Sequence, residues 1–215
     1  MPSAKSVVIS CAGIGSRLGL GSTKALIPIR GISLIGWQMQ LFREVEDVRI
    51  VVGFQANEVI DEVLKFRRDV TFVFNHNYFD TKTGASFYLG AKDANPYVIE
   101  YDGDLLVHPD DVKMLLNTDG EYICYADKMS DEAVWVRTNA LGDVCSFSRE
   151  SGDYEWTGPA CIQKSKLHYT KIGNVFNQLE GWLPMRGIKV RACDIDTYDD
   201  YQRALKFIES WEHIT

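Results

Sequence analysis

Three short segments of this chain gather the residue types that chemistry needs. The first follows an apolar run, Val7-Val8-Ile9, and reads Gly13-Ile14-Gly15-Ser16-Arg17-Leu18-Gly19 before it reaches Lys24. Glycines let backbone come close to a ligand and aim successive N–H groups at one anion. Arg17 adds a planar bidentate fork and Lys24 a compact point charge, so the loop suits phosphate groups. The second segment, Tyr97 to Asp104, ends in Asp102-Gly103-Asp104. A strand closing on Asp-x-Asp puts carboxylates at the C-terminal edge of a sheet, where open α/β folds bind ligands, and their oxygens suit a hard divalent cation. The same triplet also makes an ordinary turn. The third segment sets Asp194, Asp196, Asp199 and Asp200 around Thr197, a pattern that caps a helix.

Two familiar phosphate loops do not fit. Gly19 falls one position late for the dinucleotide fingerprint, and Ser22-Thr23-Lys24-Ala25 lacks the Gly-Lys-Ser/Thr ending of a Walker loop. With 215 residues and 46% hydrophobic content, the chain can bury one sizeable core, which predicts a single domain. Its net charge of −7 argues against nucleic-acid binding, which needs a basic face. Any bound phosphate must then be neutralised locally, by a few basic residues and a metal. The five cysteines (Cys11, Cys124, Cys145, Cys161, Cys193) are scattered, without a Cys-x-x-Cys pair, and read as reduced thiols. With no cationic signal peptide and no apolar run of membrane-spanning length, the expectation is a soluble, cytoplasmic protein. The histidines assemble no zinc site or nucleophilic triad.

The elements that must position these residues alternate. Val7–Ile9 reads as a buried strand. Apolar residues at helical spacing predict a helix over 32–45, a strand over Val48–Val52, and a turn at Gly53-Phe54-Gln55 into a helix over Asn57–Phe66. Further strands are expected at Val70–Phe74, Tyr97–Ile99 and Ile123–Ala126, with a helix over Pro109–Leu116. Residues 133–159 carry mixed alternation and two turn signals, as an inserted hairpin region does. One strand over Lys189–Ile195 and a helix over Asp199–Trp211 close the chain. The alternation predicts parallel strands joined by crossover helices.

The loop from Gly13 to Gly19, followed by Lys24-Ala25-Leu26-Ile27-Pro28-Ile29, resembles the signature of the nucleotidyltransferase family. The Asn75-x-Asn77-Tyr78 pattern and short chain are most similar to its small bacterial phosphocholine-type cytidylyltransferases. Ser10-Cys11-Ala12 stands where the family usually carries Leu-Ala-Ala. The resemblance implies a three-layer, Rossmann-like α/β fold with a mostly parallel central sheet and an inserted β-hairpin region. It makes residues 1–215 one nucleotidyltransferase domain, with 133–188 as an acceptor-binding insertion. Lys24 and Arg17 are then catalytic, and the nucleotide lies on Ala12, Gly13, Gly15, Ser16, Gln55, Thr83, Ser86 and Asp102. Mg²⁺ falls between Asp104, with Asp102 as its alternative, and Asp196. The implied reaction is in-line attack by a phosphate or phosphonate oxygen on the α-phosphorus of CTP, expelling pyrophosphate with no general base.

The acceptor side is less determined by sequence. Trp135, Tyr154, Trp156 and Trp182 lie where an aromatic cage for a quaternary ammonium, or simple packing, is built. Arg149 stands roughly where relatives hold the acceptor phosphate. Glu132 is followed by Ala133 instead of the aromatic of the phosphocholine enzymes. An aminoalkyl- or hydroxyalkylphosphonate is thus as compatible as phosphocholine. The alternatives are a sugar-1-phosphate nucleotidyltransferase, a glycosyltransferase using Asp102-Gly103-Asp104, and a non-catalytic nucleotide-binding protein. No nucleic-acid or membrane partner is expected, and a homodimer is left open.

Overall fold

The computed structural model describes residues 4–15, 21–129 and 133–211. In chain order the first half comprises β1 (Lys5–Cys11), β2 (Pro28–Ile29), β3 (Ile32–Ser33), α1 (Leu34–Leu41), β4 (Asp47–Val52), α2 (Ala56–Phe66), β5 (Thr71–Phe74) and α3 (Thr83–Ala91). The second half comprises β6 (Tyr97–Asp102), β7 (Leu105–Val107), α4 (Pro109–Asn117), β8 (Tyr122–Ala126), β9 (Trp135–Thr138), β10 (Val144–Ser148), β11 (Tyr154–Gln163), α5 (Val175–Leu179), β12 (Gly187–Lys189), β13 (Ala192–Asp194) and α6 (Tyr198–Glu209).

β1 lies at the heart of a nine-stranded sheet of order β10-β9-β11-β6-β1-β4-β5, with β8 joined to β11 and β12 to β8. The β6-β1-β4-β5 core is parallel. Val7, Val8 and Ile9 have no exposed surface because both faces of β1 are covered, which is why the strand reads as a continuous apolar run. One face packs on α1, α2 and α4 through Ile35, Met39, Val59, Val63, Val112 and Leu115. The other packs on α3 and α5 through Phe87, Ala91, Val175 and Leu179. The predicted α/β class, with helices on both faces of a mostly parallel centre, is the observed one.

The differences have physical reasons. The segment 32–45 opens on β3, and Ser33 starts α1 by accepting the Gly36 amide at 3.1 Å. Helix α3 escaped the sequence pattern because it is squeezed from two sides and uses small residues instead of an apolar stripe. A Cβ on Gly84 would lie 2.5 Å from Gly173 O, and one on Gly90 would run into Val8. The predicted strand Lys189–Ile195 is two strands, since the chain leaves its pairing with β8 and takes up an antiparallel pairing with β7. Within 133–188, β9, β10 and β11 join the central sheet, because β11 runs on to Gln163 and pairs antiparallel with β6. Among the described residues no helix is long and apolar enough to cross a membrane.

Candidate functional site

After β1 the chain moves through α1 to β4 and β5 on one side, then returns through α3 to β6 on the other. The strand order therefore reverses between β1 and β6, and such a switch point opens a crevice at the carboxyl ends of the strands. Ser10 stands opposite Asp102 there. The Gly103 amide donates to Ser10 O at 3.0 Å. A Cβ on Gly103 would lie 2.6 Å from that oxygen and 2.7 Å from Cys11 Sγ, so glycine is what lets both flanking aspartates come this close to β1. Gln38 of α1, fully buried, donates to Asp102 O at 3.0 Å and to Leu105 O at 2.8 Å, which fixes the turn carrying Asp104.

A cleft of about 290 Å³ opens over this junction. Its floor includes Ser10, Ala12, Asp102 and Asp104, and one wall carries Gly13, Gly15 and Lys24. The opposite wall carries Asn75, Tyr78, Thr83 and Ser86, with Lys82 and Asn174 beside them. Ser16, Arg17 and Gly19 lie outside the described residues, as do Glu132 and His213.

Lys24 opens a single 3₁₀ turn, Lys24–Leu26. Gly15 (φ +65°) packs against its stem, with Lys24 Cγ 3.1 Å from where a Cβ would stand. Its ammonium donates to Asp104 Oδ2 at 2.7 Å and to Asp196 Oδ1. These aspartates are far apart in sequence and meet because β7 and β13 pair, placing Asp194 beside Leu105 and the Ile195 amide 3.0 Å from Asp104 O. Asp196 is not the cap of α6. Thr197 takes that role, accepting the Asp200 amide at 3.3 Å, while Asp200 accepts the Thr197 and Asp196 amides. The Asp196 carboxylate is thereby left to face Lys24.

The floor is rich in acid. Burial opposes the charge on Lys24, but Asp104 and then Asp196 outweigh it and raise its pKa. Burial, then the Asp104 charge, push Asp102 up to about 7. Burial and then Asp102 hold Glu100, which has no exposed surface, well above the usual carboxylate range. Asp194 is raised too, by burial and then by Asp104. Among the described residues no three acidic, His or Cys side chains converge as a ready-made metal cage. Two carboxylates that already share one cation do fit Mg²⁺, which keeps several waters and takes one or two protein carboxylates plus substrate phosphate.

The far wall is organised by Asn75, in a segment that the resemblance assigns to base and ribose and that local sequence reads equally as a turn. Its Nδ2 donates to Ser86 Oγ at 3.0 Å and Thr81 Oγ1 at 2.9 Å, and its Oδ1 accepts the Asn77 amide. Thr83 Oγ1 accepts the Val175 amide at 3.2 Å and so ties α3 to α5. A polar residue directly after a strand was the available signal for Asn75. Lys82 comes to the cleft as the residue before Thr83 at the start of α3, whereas Asn174, before α5, had no signal because the packing of α5 on α3 brings it there.

Gln55 sits in the left-handed region (φ 50°), and its Oε1 accepts the Thr23 amide at 2.8 Å, bracing the turn before Lys24. Trp135 and Trp156 do not share a cage. Trp135 stands opposite Glu155 across the β9–β11 pairing, and successive residues alternate faces, so Trp156 points to the other side of the sheet. Trp135 instead lies under Lys128 Nζ, 5.5 Å from its ring centre. Trp156 meets Phe147 edge-on at 5.5 Å, Phe147 meets Phe176 at 5.6 Å, and Arg149 covers the Phe176 ring at 5.5 Å. Between this group and the floor, β11 bulges at Gly158 (φ +104°), where a Cβ would stand 3.0 Å from Asp102 Oδ2.

Residues 7–161 match the MobA-like NTP transferase domain. A choline-phosphate cytidylyltransferase of Streptococcus pneumoniae is 34% identical over 104 residues, 46% of this chain and 44% of that protein. The bifunctional protein GlmU of Sulfurimonas denitrificans is 28% identical over 120 residues, 55% of this chain and 27% of that protein. The chain thus spans less than half the length of these curated relatives. Among solved structures, the inositol-1-phosphate CTP transferase of T. maritima superposes with a TM-score of 0.82 at 17% identity, covering 100% of both chains. The CTP:phosphocholine cytidylyltransferase LicC of Streptococcus pneumoniae superposes with a TM-score of 0.77 at 19% identity, covering 95% of this chain and 99% of that one. At such identities these likenesses speak for the fold.

Proposed function

Since the chain belongs to the MobA-like NTP transferase domain family, we propose that it is a cytidylyltransferase, moving CMP from CTP to a phosphorylated or phosphonylated small molecule. The observation that carries this reading is the meeting of Lys24, Asp104 and Asp196 beside the Gly13–Gly15 backbone at the strand-order switch point. The Gly13 and Gly15 backbone and Lys24 hold the triphosphate. Asp104 and Asp196 would hold Mg²⁺, which would supply charge neutralisation at the α-phosphate. An acceptor oxygen, already anionic near neutral pH, forms the new bond to the α-phosphorus as the bond to the bridging oxygen breaks and pyrophosphate leaves. The chain's own part is positioning and electrostatics, and Lys24 is the residue placed to meet developing charge.

The preference for CTP is supported by the names carried by the S. pneumoniae and T. maritima relatives. Arg149 and Trp156 form the proposed acceptor side, Arg149 for the phosphate or phosphonate and Trp156 for the carbon skeleton. A sugar phosphate is the second reading. The Phe176 and Trp135 rings are each covered by this chain's own cations, Arg149 and Lys128, which argues against those rings caging a quaternary ammonium.

Pyrophosphate release with Mg²⁺ tests both readings, with four nucleoside triphosphates crossed against phosphocholine, 2-aminoethylphosphonate and glucose-1-phosphate. Release with CTP and either of the first two acceptors, lowered about 10²–10³-fold in Lys24→Ala, supports the proposal. Release only with the sugar phosphate moves the protein to the second reading.

A further inference from the structure

The cation shared by Asp104 and Asp196 in this structure is the ammonium of Lys24, which is also the group proposed to meet the triphosphate. We infer that Lys24 is the resident counter-ion of this carboxylate pair, and that it leaves the pair for the nucleotide's phosphates as a divalent cation enters. Metal and nucleotide therefore load as one coupled event. The inference rests on the nucleotidyltransferase reading and adds an order of assembly to it.

Three observations carry it. First, the carboxylate oxygens that bind Lys24 are the hard donors a divalent ion takes, and an ammonium and a dication cannot share them without strong repulsion. Second, the lysine is built to move at one end only. Its root is pinned by the 3₁₀ turn and by Gly15 against its stem, so side-chain torsions alone carry Nζ between the aspartates and the glycine loop. Third, further carboxylates stand beside the pair: Asp102 lines the same cleft as Asp104, and Asp194 stands opposite Leu105 in the β7–β13 pairing, so cationic charge at this floor is favoured. A metal entering alone leaves Lys24 facing a dication with no anion to receive it; an arriving triphosphate supplies that anion. By linkage, nucleotide then tightens metal binding and metal tightens nucleotide binding by the same factor.

The test is Mn²⁺ binding to the full chain without nucleotide, followed by the electron paramagnetic resonance of free Mn²⁺. Lys24→Met, which keeps the stem and removes the charge, is expected to bind Mn²⁺ about tenfold or more tightly than wild type. Equal or weaker binding overturns the inference. Should Lys24→Met not fold, the wild-type chain answers instead. Acylation of Lys24 by an N-hydroxysuccinimide ester, read by peptide mass spectrometry, should be slow in EDTA and accelerated by saturating Mg²⁺ relative to other lysines. An unchanged rate refutes the exchange. The two readings fail separately. Pyrophosphate release by wild type with no Mn²⁺ gain in the variant sinks the inference alone; a Mn²⁺ gain with no release from any nucleotide sinks the functional reading alone.

Discussion

Glu100 offers a direct test of the electrostatics beneath the cleft. It has no exposed surface, no described N–H or O–H group donates to either carboxylate oxygen, and its side chain meets that of Asp102. A carboxylic acid there can donate one hydrogen bond to Asp102, whereas a carboxylate finds only another acid. The native state thus keeps a proton on Glu100 that the unfolded chain releases above its ordinary value of 4.5. Where the native state holds one more proton than the unfolded state, stability falls as pH rises, by about 1.4 kcal/mol per pH unit. This loss begins above the unfolded pKa and runs up to the raised native one. Glu100→Gln keeps the shape and a permanent donor to Asp102 while removing the titration. Asp102 is hydrogen-bonded to Glu100, so the difference between the two proteins reports the pair with and without its Glu100 proton. As pH rises above that ordinary value the variant should gain on wild type, by at most about 1.4 kcal/mol per pH unit. Urea unfolding in EDTA, followed by circular dichroism at several pH values, measures it as a relative midpoint shift that widens with pH. Parallel stability profiles for the two proteins would show that Glu100 carries no retained proton and that the reasoning is wrong.

Other perturbations probe neighbouring parts of the site. Gly103→Ala places a methyl 2.6 Å from Ser10 O, a backbone atom that cannot step aside. It should cost about 1–3 kcal/mol, seen as a melting temperature lower by roughly 2–10 °C, and an unchanged melting temperature contradicts the close packing of β1 on β6. Gln55→Ala frees the Thr23 amide next to Lys24. Loss of about 1 kcal/mol of hydrogen bonding should raise the nucleotide KM about fivefold and leave the acceptor KM alone, by steady-state kinetics. Arg149→Met should raise the acceptor KM about 10–100-fold with the nucleotide KM unchanged, the scale of a charged hydrogen bond, and equal effects on both place Arg149 outside the acceptor subsite.

Much of this site was legible in one dimension because its chemistry is local. A glycine-rich loop, the lysine after it and the strand-ending Asp102-Gly103-Asp104 are each encoded within a few residues, since backbone geometry at a strand's end depends on its own next residues. The α/β class was legible for a similar reason: strands buried on both faces must be apolar throughout, as Val7–Ile9 are. Helix α3 was not, because its glycines answer to Val8 and Gly173, which only the packed fold brings near. The partners of Gln55 and Trp135 were illegible on the same ground. Which atom meets the Gln55 amide, and which face receives Trp135, follow from partners on other strands and turns. The pairing of β7 with β13 then decided what no local pattern holds, that Asp104 and Asp196 close on one ammonium. Residue chemistry belongs to the sequence; convergence of charge from distant segments belongs to the tertiary structure, since long-range strand pairing alone sets those distances.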